Sequence, residues 1–172
     1  MSHFLYFYTN YKILKMDNLN LIGLNTEKSK ELAGLLNDLL ANYSLFYQNS
    51  RGYHWNIKGE KFFELHLKFE ELYNNLFIKI DDIAERILTL GYAPEHKFSS
   101  YSAKAEIKES DDVSDGKNAV EDILNAFKIL IKKQRNILSV ASQIDDEGTN
   151  ALMSDNIREQ EKLVWMYSAF LN

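Results

Sequence analysis

The segment from Gly52 to Tyr73, GYHWNIKGEKFFELHLKFEELY, carries two of the chain's four histidines. His54 and His66 stand among aromatic residues and leucines, at positions where an amphipathic helix normally carries only core residues. Gly59 interrupts the helical pattern between them. The segment therefore predicts the end of one long helix and the beginning of the next, with an imidazole on the apolar face of each.

The composition fits a single helical domain. The 172 residues are 45% apolar and 26% charged, with one proline and seven glycines, which favours an all-α fold over a turn-rich β architecture. Cysteine is absent, so a metal ion would have to be held by histidine, carboxylate or backbone oxygen. The net charge of −5 argues against a generally basic surface for phosphate groups. No apolar run approaches the roughly 18 residues that span a membrane.

The first residues differ from the rest of the chain. The sequence MSHFLYFYTNYKILK is aromatic but lacks the basic start and the small-residue cleavage site of a signal peptide. We interpret residues 1–19 as an N-terminal extension and residues 20–172 as the folded domain. Residues 1–15 are either a tail or an upstream extension of the reading frame.

Helical periodicity and end signals predict four long helices. The first runs from about residue 26 to 56 with Asn25 or Thr26 as N-cap, and the second from about 60 to 90, ended by Gly91 and Pro94. The third and fourth span about 114–143 and 149–171. The connection between the second and third is too long for a tight turn, which predicts a short extra helix near residues 101–108. The expected fold is thus an all-α four-helix bundle with a long middle connection.

Five polar residues point toward packed faces of these helices. On the second helix, one flank of the apolar stripe carries His66, Glu70, Asp81 and Glu85, and His54 lies inside the apolar face of the first. One explanation is ordinary: hydrogen-bonded core histidines and border acids paired with lysine. The other is a metal ion, because unpaired buried carboxylates are costly and a cation between them removes the cost.

The spacing of these residues bears on where such an ion would bind. His66 and Glu70 form one i, i+4 pair, and Asp81 and Glu85 form another about fifteen residues away, or roughly 22 Å along the axis. One straight helix cannot bring both pairs to one ion, whereas a two-fold partner packed antiparallel can. The Glu-x-x-His pattern of sites inside one four-helix bundle is absent.

Three segments of the chain resemble the Dps family (DNA-binding proteins from starved cells), the miniferritins of the ferritin-like superfamily. They are YHWNIKGEKFFELHLKFEELY, IDDIAERILTLGYAP and EKLVWMYSAFL, and the resemblance extends over about residues 20–171. It implies a ferritin-like bundle and a ferroxidase centre shared between subunits. The implied ligands are His54, His66 and Glu70 of one chain with Asp81 and Glu85 of its two-fold mate. Members of the family often carry aspartate at the position of Glu70.

The resemblance also implies a function. It predicts oxidation of Fe(II), preferably by hydrogen peroxide, with Fe(III) mineral stored in a hollow homododecamer built from two-fold dimers. This activity would protect a cytoplasm against oxidative stress. Imidazole and carboxylate ligands without thiolate suit iron, and also manganese or zinc.

Two alternatives compete with the ferroxidase interpretation. DNA compaction needs clustered cations, but residues 1–15 contain only Lys12 and Lys15, so the sequence argues against DNA binding. A purely structural helical oligomer would leave the five aligned polar groups unexplained.

Some residues receive weaker assignments. Asp145, Asp146 and Asp155, near the start of the fourth helix, are candidates to line a negative pore for Fe(II), with solvated capping acids as the alternative. Trp55 is expected to be a packing residue rather than an oxidisable one. His3 and His96 show no ligand spacing.

Overall fold

The computed structural model describes residues 18–111 and 114–172, and in these ranges it contains five helices and no strand. They are α1 (Thr26–Asn56), α2 (Phe62–Thr89), α3 (Phe98–Lys104), α4 (Gly116–Ser142) and α5 (Glu147–Leu171). The four predicted long helices and the short helix in the middle connection are confirmed. The short helix begins and ends earlier than the predicted 101–108. Residues 1–17 of the predicted N-terminal extension lie outside the described ranges.

Side-chain caps set three of the helix starts. Asn25 accepts a hydrogen bond from the Lys28 amide at the start of α1, and Asp115 accepts one from the Asn118 amide at the start of α4. Asp146 caps α5 in the same way, which is why that helix begins two residues before the predicted Thr149. Each cap satisfies an amide that has no partner inside its helix.

The core lies where α1 packs against α2, α3 and α4, and where α4 packs against α5. The predicted apolar stripes are buried or half-buried throughout. On α2, however, Leu65, Leu72 and Ile83 are also almost fully buried, and they move the centre of the buried face toward α5. The opposite edge of α2, which carries the acids of interest, is correspondingly farther from the core than the sequence predicted.

A closed ring of three hydrogen bonds crosses the centre of the bundle. The hydroxyl of Tyr43 on α1 donates to Gln134 on α4, Gln134 donates to Gln160 on α5, and Gln160 donates back to the Tyr43 oxygen. All three side chains are at most 1% exposed. Burial raises the pKa of Tyr43 well above its ordinary value, so the hydroxyl remains a donor. The ring satisfies its buried polar groups while tying three helices together.

Two cations of α2 bind acids at α5. The amine of Lys79 contacts Asn156 at 2.9 Å and Glu159 at 2.5 Å, and the guanidinium of Arg86 contacts Asp146 at 2.5 Å. Asp146 is only 2% exposed and also accepts bonds from Thr149. The prediction that Asp146 lines a pore is therefore wrong, because its carboxylate is consumed by the cap and the buried ion pair.

Asp145 and Asp155 are exposed, as a pore would require, although Asp155 forms an ion pair with Arg158 at 2.9 Å. No helix in the described part of the chain is both long and apolar enough to cross a membrane.

Gly148 lies where the Arg86 side chain passes under the first turn of α5. A Cβ atom there would stand 2.8 Å from a guanidinium nitrogen of Arg86, whereas one at Gly34, in α1, would meet nothing within 4 Å. We therefore predict opposite effects from the same substitution. Gly34→Ala should stabilise the fold by about 0.5–1 kcal/mol, and Gly148→Ala should destabilise it by about 1–3 kcal/mol. Thermal unfolding of the two variants checks this, and equal stabilisation would show that Arg86 yields freely.

The buried carboxyl of Asp146 should make the stability of the fold depend on pH. Burial alone would raise the pKa of this carboxyl, but the bonds from Arg86 and Thr149 outweigh burial and hold the pKa below its ordinary value. The ion pair thus contributes stability above the unfolded pKa of about 3.9, and the contribution is lost as pH falls through the lowered folded value. Asp146→Asn, which keeps a good N-cap, should cost about 3 kcal/mol at pH 7. The gap to the parent should shrink below about pH 4 in denaturant titrations; a pH-independent gap would contradict the assignment.

Candidate metal centre

His54 and His66 hold each other in place by crossed hydrogen bonds. The Nδ1 atom of His54 lies 2.8 Å from the carbonyl oxygen of His66, and the Nδ1 atom of His66 lies 2.8 Å from the carbonyl oxygen of His54. The two rings stack with centroids 3.8 Å apart and planes 19° from parallel. One histidine comes from the last turn of α1 and the other from the second turn of α2, so the crossed pair joins the two helices across the Gly59 turn.

The crossed bonds determine the tautomer of both rings. A carbonyl oxygen only accepts, so each Nδ1 must carry a proton, and the nitrogen that can offer a lone pair to a metal ion is Nε2 in both rings. A hydrogen-bonded Nδ1 and a free Nε2 is the arrangement of a metal-binding histidine with an oriented ring. The bond from His66 also satisfies a carbonyl near the end of α1 that has no acceptor role inside the helix. The same geometry is thus a helix cap and a pair of prepared imidazoles.

Glu70 and Tyr73 stand beside the crossed histidines. The Tyr73 ring meets the His54 ring edge-on at 5.3 Å, and its hydroxyl lies 3.5 Å from an oxygen of Glu70. Desolvation, followed by the neighbouring Glu70 charge, raises the pKa of Tyr73 above its ordinary value, so the phenol stays protonated as a donor to the carboxylate. Glu70 is half-buried and forms no ion pair among the described residues. Its charge is left available to a cation next to the two imidazoles.

Asp81 and Glu85 are exposed, and neither carboxylate has a cationic partner in the described chain. The nearby cations Lys79 and Arg86 point toward α5 instead. The expectation that all five groups face packed surfaces therefore fails for these two within the single chain, because the buried face of α2 is rotated toward α5. The structure brings together His54, His66 and Glu70, and leaves Asp81 and Glu85 farther along α2.

No group of three or more histidine, aspartate or glutamate side chains in the described ranges is arranged to hold a metal ion within one chain. The face of α2 that carries the two free acids also exposes large apolar side chains. They are Leu67, Phe77, Ile78 and Leu88, each more than half exposed. With Asp81 and Glu85 they form a single stripe along α2, which we call the α2 open face. Apolar side chains in a contiguous exposed row mark an interaction surface more often than a solvated one.

The sequence did not single out two residues that lie at this site. One is Tyr73, whose spacing of three residues from Glu70 and seven from His66 places it on the same side of α2. The other is Arg51, whose guanidinium carbon lies 4.6 Å from the ring centre of Trp55. Trp55 itself is 57% exposed, so within one chain it fills the expected packing role only in part.

Comparisons with known proteins identify the family and the fold of the chain. A family model for the ferritin-like domain matches residues 33–172. An uncharacterized protein of Haemophilus influenzae is 53% identical over 148 residues, which are 86% of this chain and 92% of the relative. A DNA protection during starvation protein of Porphyromonas gingivalis is 41% identical over 152 residues, or 88% of this chain and 96% of the relative.

Among solved structures, a Dps protein from Vibrio cholerae O1 has a TM-score of 0.89 and 57% identity, covering 90% of this chain and 98% of that one. That structure is described as a member of a broad superfamily of ferritin-like diiron-carboxylate proteins. The predicted ferritin-like fold is confirmed by this match, and the relatives are matched over nearly their whole length. The chain therefore belongs to the Dps family of ferritin-like diiron-carboxylate proteins.

Proposed function

We propose that this protein oxidises Fe(II) at ferroxidase centres shared between two subunits and stores the Fe(III) product inside a hollow oligomer in the cytoplasm. The observation that carries the proposal is the crossed pair of His54 and His66, because it presents two Nε2 lone pairs beside the free carboxylate of Glu70. Two imidazoles and a carboxylate form an incomplete set for iron, since the described chain supplies no further donor to them.

The missing donors are the acids of the α2 open face. Asp81 and Glu85 lie without cationic partners among large exposed apolar residues. A contiguous exposed apolar surface of this kind favours contact with another molecule, here a second copy of the chain. Two α2 helices packed antiparallel set the His66 end of one against the Glu85 end of the other. Every dimer then contains two equivalent centres, each with His54, His66 and Glu70 of one chain and Asp81 and Glu85 of its mate.

The residues suit the reaction in different ways. The imidazoles bind Fe(II) without adding charge, while the three carboxylates favour the more highly charged Fe(III) product. Hydrogen peroxide accepts one electron from each of two Fe(II) ions and, with two protons, leaves as water. Tyr73 keeps Glu70 oriented through its hydroxyl. Manganese or zinc would fit the same ligands, but Zn(II) has no redox chemistry and cannot take part in the reaction.

A closed shell of twelve subunits would hold the product. Iron would enter through negative openings, and of the predicted pore acids only Asp145 and Asp155 remain exposed candidates. DNA compaction has no support in the charge of the chain, which is −5, and the two lysines of the N-terminal segment lie outside the described residues.

Mixing two inactive variants tests the shared centre. His54→Ala/His66→Ala and Asp81→Ala/Glu85→Ala should each assemble and oxidise Fe(II) at least about 100-fold more slowly than the parent, since each damages every centre. In a mixed dimer all four defects fall in one centre and the other is intact. Co-assembled subunits should therefore recover activity, up to about one quarter of the parent rate for random pairing, measured by the absorbance of Fe(III) after peroxide addition. No recovery in shells shown by mass spectrometry to contain mixed dimers would refute sharing.

The absence of cysteine allows a direct test of the antiparallel arrangement. The two-fold axis should pass midway between the two ligand pairs, close to Asn74, which is exposed on the open face. Asn74→Cys should form an intersubunit disulfide on mild oxidation. In the proposed dimer the two residues at position 74 would be separated by only about 5 Å along the helix axes. The matched control Leu67→Cys should not, since its copies would stand about 25 Å apart. Denaturing gels without reductant report the result, and the reverse pattern would rule out this register.

A further inference from the structure

Arg51 makes cation–π contacts with two aromatic rings at the edge of the proposed dimer surface. Its guanidinium carbon lies 5.4 Å from the centre of the Tyr47 ring and 4.6 Å from that of Trp55, one turn to either side on α1. Its polar contact within the chain is a 3.4 Å bond to the side-chain oxygen of Gln48. No carboxylate of the described residues forms an ion pair with it. A charged fork that is oriented in this way but has no anion is prepared for a partner outside the chain.

The position of Arg51 relates it to the α2 open face. The Tyr47 ring lies 6.3 Å from the rings of both Tyr73 and Phe77 on α2, and Phe77 is 61% exposed as part of the open face. Arg51 therefore borders the same surface as the unpaired acids Asp81 and Glu85. One surface thus carries a free cation at one place and free anions at another, which is the charge pattern of a self-complementary contact.

The antiparallel arrangement decides which acid meets Arg51. His54 lies beside His66, and Tyr47 lies beside Tyr73 and Phe77, so Arg51 falls alongside the turn of α2 from Glu70 to Tyr73. An axis between residues 75 and 76 places that turn opposite the partner's Ile78 and the partner's Asp81. In that stretch Lys79 is engaged by Glu159 on α5, so the partner's Asp81 is the charged group that lies on the open face.

We propose that Arg51 anchors the two-fold dimer by binding the carboxylate of the partner's Asp81, twice per dimer by symmetry. The proposal rests on the proposed function, because it uses the antiparallel dimer. An arginine offers two parallel N–H groups to a carboxylate, and here the rings of Tyr47 and Trp55 fix the fork before the partner arrives. Tryptophan, tyrosine and arginine are the residues that most often dominate the energy of an interface. Trp55 thereby has a role in the interface, where its ring would cover the ion pair and exclude water from it.

Each oxygen of an ionised carboxylate has two lone pairs. The partner's Asp81 can therefore accept both N–H groups of the Arg51 fork and still offer lone pairs to an ion, so the ion pair is compatible with its proposed role as a ligand.

Charge exchange across the interface tests the proposal without using iron. Arg51→Glu and Asp81→Arg each place like charges opposite one another, so each should speed subunit exchange at least about tenfold, because interface changes act mainly on dissociation. Exchange is followed by native mass spectrometry of mixed light and isotope-labelled protein. The double variant Arg51→Glu/Asp81→Arg restores opposite charges and should return exchange to within about threefold of the parent. Arg51→Lys keeps the charge but loses the two parallel N–H groups, so its exchange rate should lie between that of the parent and that of Arg51→Glu.

Arg135→Glu is the control, because Arg135 forms an exposed pair with Glu161 between α4 and α5, away from the open face. It should change exchange by less than about twofold. Circular dichroism checks that each variant is folded. If Arg51→Glu does not fold, Arg51→Gln takes its place, and Arg51→Gln should speed subunit exchange by more than Arg135→Glu does.

Absence of any effect at Arg51, or single effects that add in the double variant, would overturn the Arg51 assignment. The Asn74→Cys disulfide tests the antiparallel dimer independently of the contact between Arg51 and Asp81. If it forms while the charge exchange fails, the dimer stands and Arg51 has another role. If it does not form, the antiparallel arrangement itself is wrong.

Discussion

The crossed hydrogen bonds of His54 and His66 are the constraint on which the site depends. They close the end of α1 against the beginning of α2, and they use both Nδ1 atoms to do so, so neither ring can turn without opening the junction between the helices. The stability of the fold at this point and the availability of two Nε2 lone pairs are consequences of the same two bonds. An imidazole held in this way would need little rearrangement to bind an ion, since its orientation is already determined by the backbone.

The faces of α2 differ in what they contact. Its buried face fills the core, its cations Lys79 and Arg86 attach it to α5, and its open face carries apolar residues and acids that no residue of the described chain covers. This division explains why the acids are unpaired although cations are near in sequence. If Asp81 and Glu85 formed ion pairs within their own chain, their carboxylates would not be available to a cation or to a group of another molecule.

Much of the fold could be predicted from the sequence because its signals are local. Asn25, Asp115 and Gly91 mark helix ends through bonds or backbone angles that depend on neighbouring residues, and apolar periodicity identified the core-facing stripes. The crossed histidines could not be predicted, because periodicity gives the direction of a side chain and not the atom that it meets. Asp146 was misassigned for a related reason: an acid before a helix looks the same in sequence whether it faces water or, as here, Arg86. The five-residue ligand set remains a prediction, since two of its members lie apart from the other three in a single chain.

The ring formed by Tyr43, Gln134 and Gln160 has a mechanical consequence. Apolar side chains slide past one another at small cost, so a bundle held by them alone would permit its helices to shift along their axes. A shift of one residue, about 1.5 Å, would break at least two of the three bonds in the ring and strand their polar atoms in a dry interior. The ring therefore pins α1, α4 and α5 at one level, while α2 is fastened to the same unit by its histidine and ion-pair contacts. The four long helices are therefore expected to move as one rigid unit, and sliding of one helix past another is opposed by polar contacts as well as by packing.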